Sequence, residues 1–472
     1  MRLTKNKIYL LLGFVVLSVL FIYLRLKNLN HPLMWDEAWN ILSLRSYVLN
    51  AVKDPFYWFY RFHPPLYMIF ARLLHPFKSG FDARLELLSL FFAYATFLAM
   101  YLLSARMGGW KYAWFSGLFL SIMPASIGYD TWIKRDGLAS AFGYFSILLL
   151  LKRKYFWCGV LLALSLLSKE NGLFFVLSSL VLVFMLGEKR PFRKIIILLL
   201  TVFALSSWWY LFFSEMTTHG PRFFFSQQEY SILWANSPLY YFKKLLPDAG
   251  PGMLFFLVIG TACIIYQSFQ KKELLKLTPL VIAACVYIPI SLAFTLKAPW
   301  LFLPAVPALA MIAGGGATYL FDRSRKLRLL LPVLYIPLVV AVFSGGSFSY
   351  AGYHAETYPN GWPGAVSSKK LAEYLNAHMK KEDRLMITDF SYWQMPYCPV
   401  FLYYSVPHHV KWIKGSDEAK SVLKEALENK TTWVVVIGSP DPKTNPAKLI
   451  NGLKKSLGDP KTVGWSYVWH LD

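Results

Sequence analysis

The sequence predicts an α-helical polytopic membrane protein with about eleven transmembrane helices and a small C-terminal α/β domain outside the membrane. Hydrophobic residues make up 56% of the 472 residues and charged residues 16%, whereas soluble domains carry about 25% charged residues. The apolar residues are grouped into segments long enough to cross a bilayer. After residue 345 this grouping stops, and helix-like and strand-like patterns alternate.

The apolar segments are predicted to be helices because a backbone in hydrocarbon must satisfy its own hydrogen bonds. The predicted spans are approximately 8–25, 85–105, 112–128, 137–151, 155–168, 171–186, 195–213, 251–269, 277–296, 299–321 and 329–345. The first follows a basic N-terminus, as a signal peptide does. It has no small-residue cleavage site, so it is predicted to remain as an uncleaved span.

Basic residues between the spans predict the orientation, because short cytoplasmic loops are rich in Lys and Arg. One side carries the basic clusters 2–7, 106–111, 152–154, 189–194, 271–276 and 323–328. The short loops of the other side contain few basic residues. The sequence therefore predicts a multi-pass protein of the cytoplasmic membrane with a cytoplasmic N-terminus. The long stretches 26–84 and 214–250, and everything after about 346, are then extracytoplasmic.

The predicted domains are a membrane module at 1–345 and an extracytoplasmic α/β domain at 346–472. In the second, the patterns indicate helices at Ser367–Met379, Ser416–Asn429 and Pro446–Leu457, and strands at Arg384–Asp389, Thr432–Gly438 and Thr462–His470. The region has no GxGxxG or GxxxxGK[ST] motif of a nucleotide site. The sequence contains no CxxC pair of the kind that would indicate a zinc site. The net charge of +23 is divided among the loops rather than gathered in a patch, which argues against a nucleic-acid partner.

Two motifs in the first external stretch carry groups suited to catalysis. Asp36 and Glu37 are adjacent carboxylates soon after the first span, and His63 precedes two prolines that restrict the backbone. Asp36 and Glu37 could instead cap a helix, because an acidic first turn favours the positive end of the helix dipole. His63 could be a structural residue of the interface. Both alternatives remain open on the residues alone.

The other external loops add charged residues at membrane depth, where such residues are costly and tend to be functional. They are Arg135 and Asp136 in the second loop (Tyr129–Asp136), Lys169 and Glu170 in the third (Ser168–Asn171), and Lys297 just before the predicted span 299–321. Carboxylates can deprotonate a hydroxyl or hold a metal, and cations can stabilise a departing phosphate. Snorkelling of each long side chain toward the interface is the alternative.

Asp36-Glu37 together with His63-Pro64-Pro65-Leu66 resembles the first external loop of the GT-C glycosyltransferases. The loop is similar to that of the protein O-mannosyltransferases and of the bacterial and archaeal transferases related to them, including the lipid A aminoarabinose transferase. Asp136-Gly137-Leu138, Lys169-Glu170-Asn171-Gly172 and Lys297-Ala298-Pro299-Trp300-Leu301 also look like segments of that superfamily. Family members often carry an arginine five residues before the second-loop Asp; this chain has Thr131 there.

The resemblance implies a GT-C fold and an inverting transferase that uses a polyprenyl-phosphate sugar donor. Asp36 would be the base, supported by Glu37 and Asp136. His63, Arg135, Lys169, Glu170 and Lys297 would contact substrates. The cofactor is unknown; a divalent metal stays open, with Asp36 and Asp136 as its ligands if one binds. The acceptor, a protein or a glycolipid, is not specified by the sequence.

Two other classes remain as alternatives. Charged residues within a helical bundle also mark the path of a transporter or a glycolipid flippase. Such transporters usually show inverted repeats and broken spans at matching places in two halves, and this sequence shows neither. The second alternative is a scaffold of the same fold without catalytic activity. The presence of Asp36 and Asp136 argues against this alternative.

Overall fold

The computed structural model describes most of the chain. The described residues are 4–27, 29, 37, 41, 64–74, 81–187, 190–212, 239–249, 251–270, 273–292, 301–323, 365–389, 409–414, 418–437, 447–464 and 466–471. The chain divides into two compact units. The helical unit comprises Met1–Asn30 and Leu44–Tyr350, and the α/β unit comprises His31–Ser43 and Ala351–Asp472.

The described part of the helical unit contains twelve α-helices. They are α1 (Lys5–Leu26), α2 (Leu66–Arg72), α3 (Phe81–Ile122), α4 (Pro124–Tyr129), α5 (Asp136–Leu151), α6 (Tyr155–Ser168), α7 (Gly172–Met185), α8 (Pro191–Phe212), α9 (Tyr240–Ala249), α10 (Pro251–Gln270), α11 (Thr278–Leu292) and α12 (Val306–Arg323). Short 3₁₀ turns at Leu274–Leu277 and Leu303–Ala305 lead into α11 and α12.

Six described helical segments are long and apolar enough to cross a membrane: Lys5–Leu26, Phe81–Ile122, Pro191–Leu211, Met253–Gln270, Leu274–Leu292 and Leu303–Arg323. Helices α5, α6 and α7 are apolar but shorter, with 16, 14 and 14 residues. The predicted span 329–345 lies outside the described residues. The structure therefore supports a membrane bundle, and the number eleven stays a prediction.

Helix α3 contains the predicted span 85–105 and the first part of the predicted span 112–128, which the structure divides between α3 and α4. Gly109 has φ 75° and ψ −166° within it, a backbone conformation outside the helical region. A Cβ atom at Gly117 would lie 3.1 Å from the Tyr101 ring, although sixteen residues of straight helix would separate the two by about 24 Å. Helix α3 is therefore two antiparallel arms joined at Gly109. The second arm ends at Ile122, and α4 begins at Pro124.

The helical core is built mainly around α3. Aromatic side chains of α1 and α3 pack together, among them Phe14, Phe21, Tyr94 and Phe97. Helix α12 packs against α3 and α10. Small residues permit close approach of membrane helices, and a methyl group at Gly260 of α10 would overlap the carbonyl group of Ile312 in α12.

The α/β unit contains a five-stranded sheet, and its elements follow the alternation that the sequence predicts. The described elements are α13 (Ala365–His378), β1 (Arg384–Asp389), β2 (His409–Lys414), α14 (Ala419–Glu428), β3 (Trp433–Ile437), α15 (Ala447–Leu457), β4 (Lys461–Val463) and β5 (Ser466–His470). The strand order is β2-β1-β3-β5-β4. Strands β2, β1 and β3 are parallel, whereas β5 and β4 are antiparallel to their neighbours.

The core of this unit lies between the sheet and the pair α14–α15. Met386, Val434, Val436 and Trp469 on the sheet pack with apolar residues of the two helices, namely Val422, Ala426, Leu449, Ile450 and Leu453. All five residues of β3 are buried. Burial on both faces explains why β3 has a continuous apolar sequence rather than an alternating one.

Two details of the α/β unit differ from the prediction. The segment Thr462–His470 is not one strand but the hairpin β4–β5, because Gly464 has φ 60° and begins a tight turn between Val463 and Ser466. Strand β2 was not predicted. Its sequence, His-Val-Lys-Trp-Ile-Lys, alternates apolar and polar residues, which is typical of a strand with one face buried.

Candidate functional site

The polar residues of the helical unit meet where three helices end. Helices α5 and α6 are joined by the short connection 152–154, and α6 and α7 by 169–171. With connections this short, neighbouring helices run antiparallel. The first residue of α5, the residue after α6 and the residue before α7 therefore lie at the same end of the bundle. These residues are Asp136, Lys169 and Asn171.

The Asp136 carboxylate is the centre of this cluster. Its side chain is 3% exposed. Lys169 Nζ donates to Asp136 Oδ1 at 2.8 Å and to Oδ2 at 2.7 Å, and Asn171 Nδ2 donates to Oδ1 at 3.0 Å. Asp136 also lies in the first turn of α5, where the helix dipole favours a negative charge. The carboxylate is thus fixed in position by an ion pair, an amide and a helix N-terminus.

A cavity opens beside this cluster. Its wall includes Asp136, Lys134 and Asp130 from the second loop and the start of α5, Ser89, Ala93 and Thr96 from α3, Ser126 and Tyr129 from α4, and Leu303, Val306 and Pro307 before and in α12. Lys134 is 7% exposed, and its Nζ lies 4.7 Å from the centre of the Trp132 ring. Charged, hydroxyl and apolar groups therefore face one small space.

A second ion pair supports the cavity wall from behind. Arg25 Nε donates to Asp130 Oδ2 at 2.7 Å, and the Arg25 side chain is fully buried. Ser126 Oγ donates to the same carboxylate oxygen at 2.7 Å. Lys134 and the carboxylates of Asp130 and Asp136 line the cavity, and Arg25 and Lys169 bond to these carboxylates. Together they are three cations and two anions. This balance favours an anionic ligand.

Helix α2 and the two prolines before it lie close to the same wall. Pro64 and Pro65 are buried, and α2 begins directly after them. Tyr67 is 1% exposed, and its hydroxyl lies 3.3 Å from Ser89 Oγ, a group of the cavity wall. Pro64 and Pro65 are thus three and two residues before a side chain that contacts the wall.

The structure brings together some of the predicted site residues. Asp136 and Lys169 form the ion pair, and Glu170 is half-buried beside them. Arg135 is half-buried at the N-cap position of α5. Glu37 is fully buried and is assigned to the α/β unit. Asp36, His63 and Lys297 lie outside the described residues, so their predicted roles stay predictions.

The described residues do not by themselves form a site for a divalent metal. No three His, Cys, Asp or Glu residues converge within the described part of the chain. Asp136 is the predicted ligand that the structure describes, and a lysine ammonium group lies against both of its carboxylate oxygens. A divalent cation would have to displace this ammonium group to bind there.

The site contains residues to which the sequence prediction gave no role. Arg25, Ser126, Asp130 and Asn171 all belong to its hydrogen-bond networks, and Lys134 belongs to the cavity wall. Arg25 and Asp130 carried a usable signal, because each is an ionisable residue next to an apolar segment. Asn171 and Ser126 carried none, since a single amide or hydroxyl near a helix end is common.

The fold and the cluster define a class of protein: a polytopic helical membrane protein with a cavity beside a buried ion pair in its bundle, and with an α/β unit. No family model and no curated protein sequence matches the chain. Solved structures do match it, and among them are the GT-C glycosyltransferases ArnT, AglB and AftD. The chain therefore has the GT-C fold, as the resemblance of its loop motifs implied.

The alignment with this chain covers different shares of three of these solved structures. ArnT from Cupriavidus metallidurans in the apo state is 14% identical, with a TM-score of 0.63 over 99% of this chain and 98% of that one. The apo Archaeoglobus fulgidus oligosaccharyltransferase is 12% identical, with a TM-score of 0.57 over 90% and 69%. Arabinofuranosyltransferase AftD from Mycobacteria is 13% identical, with a TM-score of 0.52; this chain spans 40% of its length. At these identities the likeness concerns the fold alone.

Proposed function

We propose that this protein transfers a sugar from a polyprenyl-phosphate donor to a protein or glycolipid acceptor at the outer face of the cytoplasmic membrane. The observation that carries the proposal is the buried Asp136 carboxylate, which Lys169 and Asn171 hold at the wall of a cavity that charged, hydroxyl and apolar groups line. Two structures of the same fold support the lipid class. One is ArnT bound to undecaprenyl phosphate, and the other is AglB in complex with a dolichol-phosphate.

The reaction would proceed by a single displacement with inversion. The acceptor hydroxyl loses its proton to Asp36 as its oxygen forms a bond to the anomeric carbon. The bond between that carbon and the phosphate oxygen breaks, and the phosphate leaves with the electron pair as polyprenyl phosphate. An Asp with an ordinary pKa near 4 is ionised at neutral pH and can accept the proton directly.

The departing phosphate gains negative charge and requires cations rather than an acid. We assign the nearest such contact to Lys134, because its side chain forms part of the cavity wall. Arg135 and Lys297 are further candidates from the sequence. The ammonium group of Lys169 is engaged with both oxygens of Asp136, which supports a positioning role for Lys169 at least as well as the predicted contact with the donor.

The remaining assignments concern the acceptor side of the site. Glu37 and Asp136 would support Asp36 in orienting the acceptor hydroxyl, and His63 and Glu170 would contact the sugar. A carboxylate as well fixed as Asp136 suits this role, since it can accept a hydrogen bond without a change in its own position.

Binding of the lipid phosphate can be tested without knowledge of the sugar or the acceptor. Native mass spectrometry of the purified protein with undecaprenyl phosphate should show a bound lipid. Lys134→Gln should weaken this binding about 10- to 100-fold, because loss of a charge-assisted hydrogen bond typically costs ~1.5–3 kcal/mol. The matched control is Lys111→Gln, which removes a lysine that is paired with Asp322 outside the cavity. Equal binding by both variants would refute the role of Lys134.

Transfer itself is tested by mass spectrometry of the glycolipids and glycoproteins of a deletion strain. The strain should lack one sugar-modified product, and the wild-type protein should restore it. Asp36→Asn should be produced and inserted normally but restore little product, because loss of a general base costs ~10²–10⁴ in rate. A helix-capping Asp36 would predict full restoration, since Asn caps a helix as well as Asp does.

The matched control for this experiment is Asp322→Asn, which also neutralises an ion-paired aspartate of the bundle. It should restore the product fully. A strain in which Asp36→Asn restores as much product as Asp322→Asn would leave the base unidentified. A deletion that changes the distribution of a glycolipid across the membrane, without loss of any glycosidic bond, would favour the transporter class instead.

A further inference from the structure

Arg25 is the most completely hydrogen-bonded cation among the described residues. Its guanidinium group has five N–H donors. Nε donates to Asp130 Oδ2 at 2.7 Å, Nη1 donates to the carbonyl oxygens of Phe21 and Ser121 at 3.1 and 2.9 Å, and Nη2 donates to Leu120 O and Ser126 Oγ at 3.1 and 2.7 Å. Its carbon Cζ also lies 3.4 Å from the centre of the Phe21 ring.

These five bonds leave no donor with which Arg25 could bind a ligand. They connect elements that are far apart in the chain: α1, the last turn of α3, α4, and Asp130 of the second loop. The last carbonyl groups of a helix have no partner within that helix, so Leu120 and Ser121 are natural acceptors at the end of α3. A lysine ammonium group has three N–H donors and lacks the planar guanidinium geometry, so it could not make these five hydrogen bonds.

The groups that Arg25 holds form part of the cavity. Phe21, Leu120, Ser126 and Asp130 all line it. Asp136 follows Asp130 by six residues, and between them Trp132 and Ile133 are 2% and 0% exposed. The second loop is therefore packed firmly on both sides of Lys134, with Arg25 at one end and Lys169 at the other.

We propose that Arg25 is a positioning residue, which through Asp130 fixes the second loop and thereby the place of Lys134 and Asp136 in the cavity. The role rests on the proposed transferase function, because it concerns the geometry of that site. Arg25 itself touches neither donor nor acceptor. A displacement of about 1 Å in such a site can cost ~10² in rate.

The test uses the double variant Arg25→Met/Asp130→Leu, which removes both charges together. Replacement of a buried ion pair by apolar residues of similar size is often neutral for stability, so this variant should fold with a melting temperature close to that of the wild type. It should nevertheless restore about 100-fold less product in the deletion strain at equal protein level. Arg25→Lys should not rescue activity.

The position of the loop is measured separately by the accessibility of a cysteine at residue 133. Ile133→Cys is introduced into a protein whose Cys158, Cys263, Cys285 and Cys398 are replaced by alanine. The cysteine should be protected from a water-soluble maleimide when Arg25 and Asp130 are present, and labelled in the double variant. Lys111→Met/Asp322→Leu, which removes an ion pair between α3 and α12 outside the cavity, should change neither the product nor the labelling.

Each outcome decides between the alternatives. A double variant with normal product refutes the positioning role, whatever the labelling shows. Lost product with a protected cysteine also refutes it, and would make Asp130 a group that acts on the substrate directly. If the wild type itself yields no sugar-modified product, the proposed function fails. The labelling then still shows whether the Arg25–Asp130 pair holds the loop.

Discussion

At the scale of single residues, Asp136 illustrates how a buried carboxylate can be both a structural and a functional group. Its three hydrogen bonds come from two residues that follow α6 and precede α7. The side chains of Lys169 and Asp136 are 12% and 3% exposed, so each would be costly to bury alone. The pair therefore stabilises the meeting point of three helices and also fixes a carboxylate at the cavity.

Asp136→Asn should destabilise the protein as well as inactivate it. The substitution leaves the Lys169 ammonium group buried without a counter-charge, and breaking a buried pair in this way typically costs ~3–5 kcal/mol. Asn171→Ala removes one neutral donor and should cost only about 1 kcal/mol. Thermal unfolding of the purified proteins in detergent checks the difference. Equal melting temperatures for the two variants would contradict a stabilising ion pair between Asp136 and Lys169.

At the scale of elements, the two arms of α3 depend on one glycine. Gly109 adopts φ 75° and ψ −166°, a region that is essentially restricted to glycine. Gly109→Ala should therefore destabilise the hairpin by ~1–3 kcal/mol. The control is Gly315→Ala in α12, where a Cβ atom would have its nearest contact at 3.5 Å. Thermal melts should show a lower midpoint for Gly109→Ala, and little change for Gly315→Ala.

In the α/β unit, Asp383 joins the start of β1 to β3. Its Oδ2 accepts the backbone N–H of Lys380 at 2.8 Å and the indole N–H of Trp433 at 2.9 Å. The Lys380 N–H is the main cause that holds the pKa of Asp383 below its usual value, and the Trp433 bond adds to it. Because the folded-state pKa is depressed, this contribution to stability is present above the unfolded pKa of about 3.9 and declines as the pH falls further.

The corresponding prediction compares Asp383→Ala with the wild type at two pH values. At pH 7 the variant should melt at a lower temperature, because both hydrogen bonds to the carboxylate are lost. The difference should shrink as the pH falls through the depressed pKa of the folded-state carboxylate, because the wild-type group then becomes protonated. Fluorescence-detected unfolding of the full-length protein in detergent measures both midpoints. A difference that is unchanged or larger in acid would refute the role of the charged form.

At the scale of the whole molecule, the orientation of the helices can be tested by labelling. The predicted arrangement has Asp36 and Pro440 outside the cell, and Arg153 and Pro191 inside. Single cysteines at these positions should react with an impermeant maleimide in intact cells at 36 and 440, and at 153 and 191 after permeabilisation. A cysteine at 440 that requires permeabilisation would overturn the eleven-span arrangement. It would also place the α/β unit in the cytoplasm.

The architecture was predictable from the sequence where the signal is periodic or compositional. Apolar segments and basic loops indicated the bundle, and the alternating patterns indicated the α/β unit. The hairpin at Gly464 and the break before Pro124 escaped prediction because each depends on the local backbone. Asp136 and Lys169 were recognised as charges at membrane depth. That they bond to each other, and that Arg25 bonds to Asp130, depends on how distant helices pack.

Four of the five hydrogen bonds of Arg25 can form only after about a hundred further residues have been synthesised. Its most distant partners, Leu120 to Asp130, are synthesised 95 to 105 residues later. At a synthesis rate of ~5–20 residues per second, roughly 5–20 s pass between the synthesis of α1 and that of these hydrogen-bond partners of Arg25. During that interval the side chain should extend to the membrane surface. Nascent chains of increasing length, cross-linked from Ile22, should therefore stay beside the insertion machinery until α4 emerges. Arg25→Leu chains should leave it sooner.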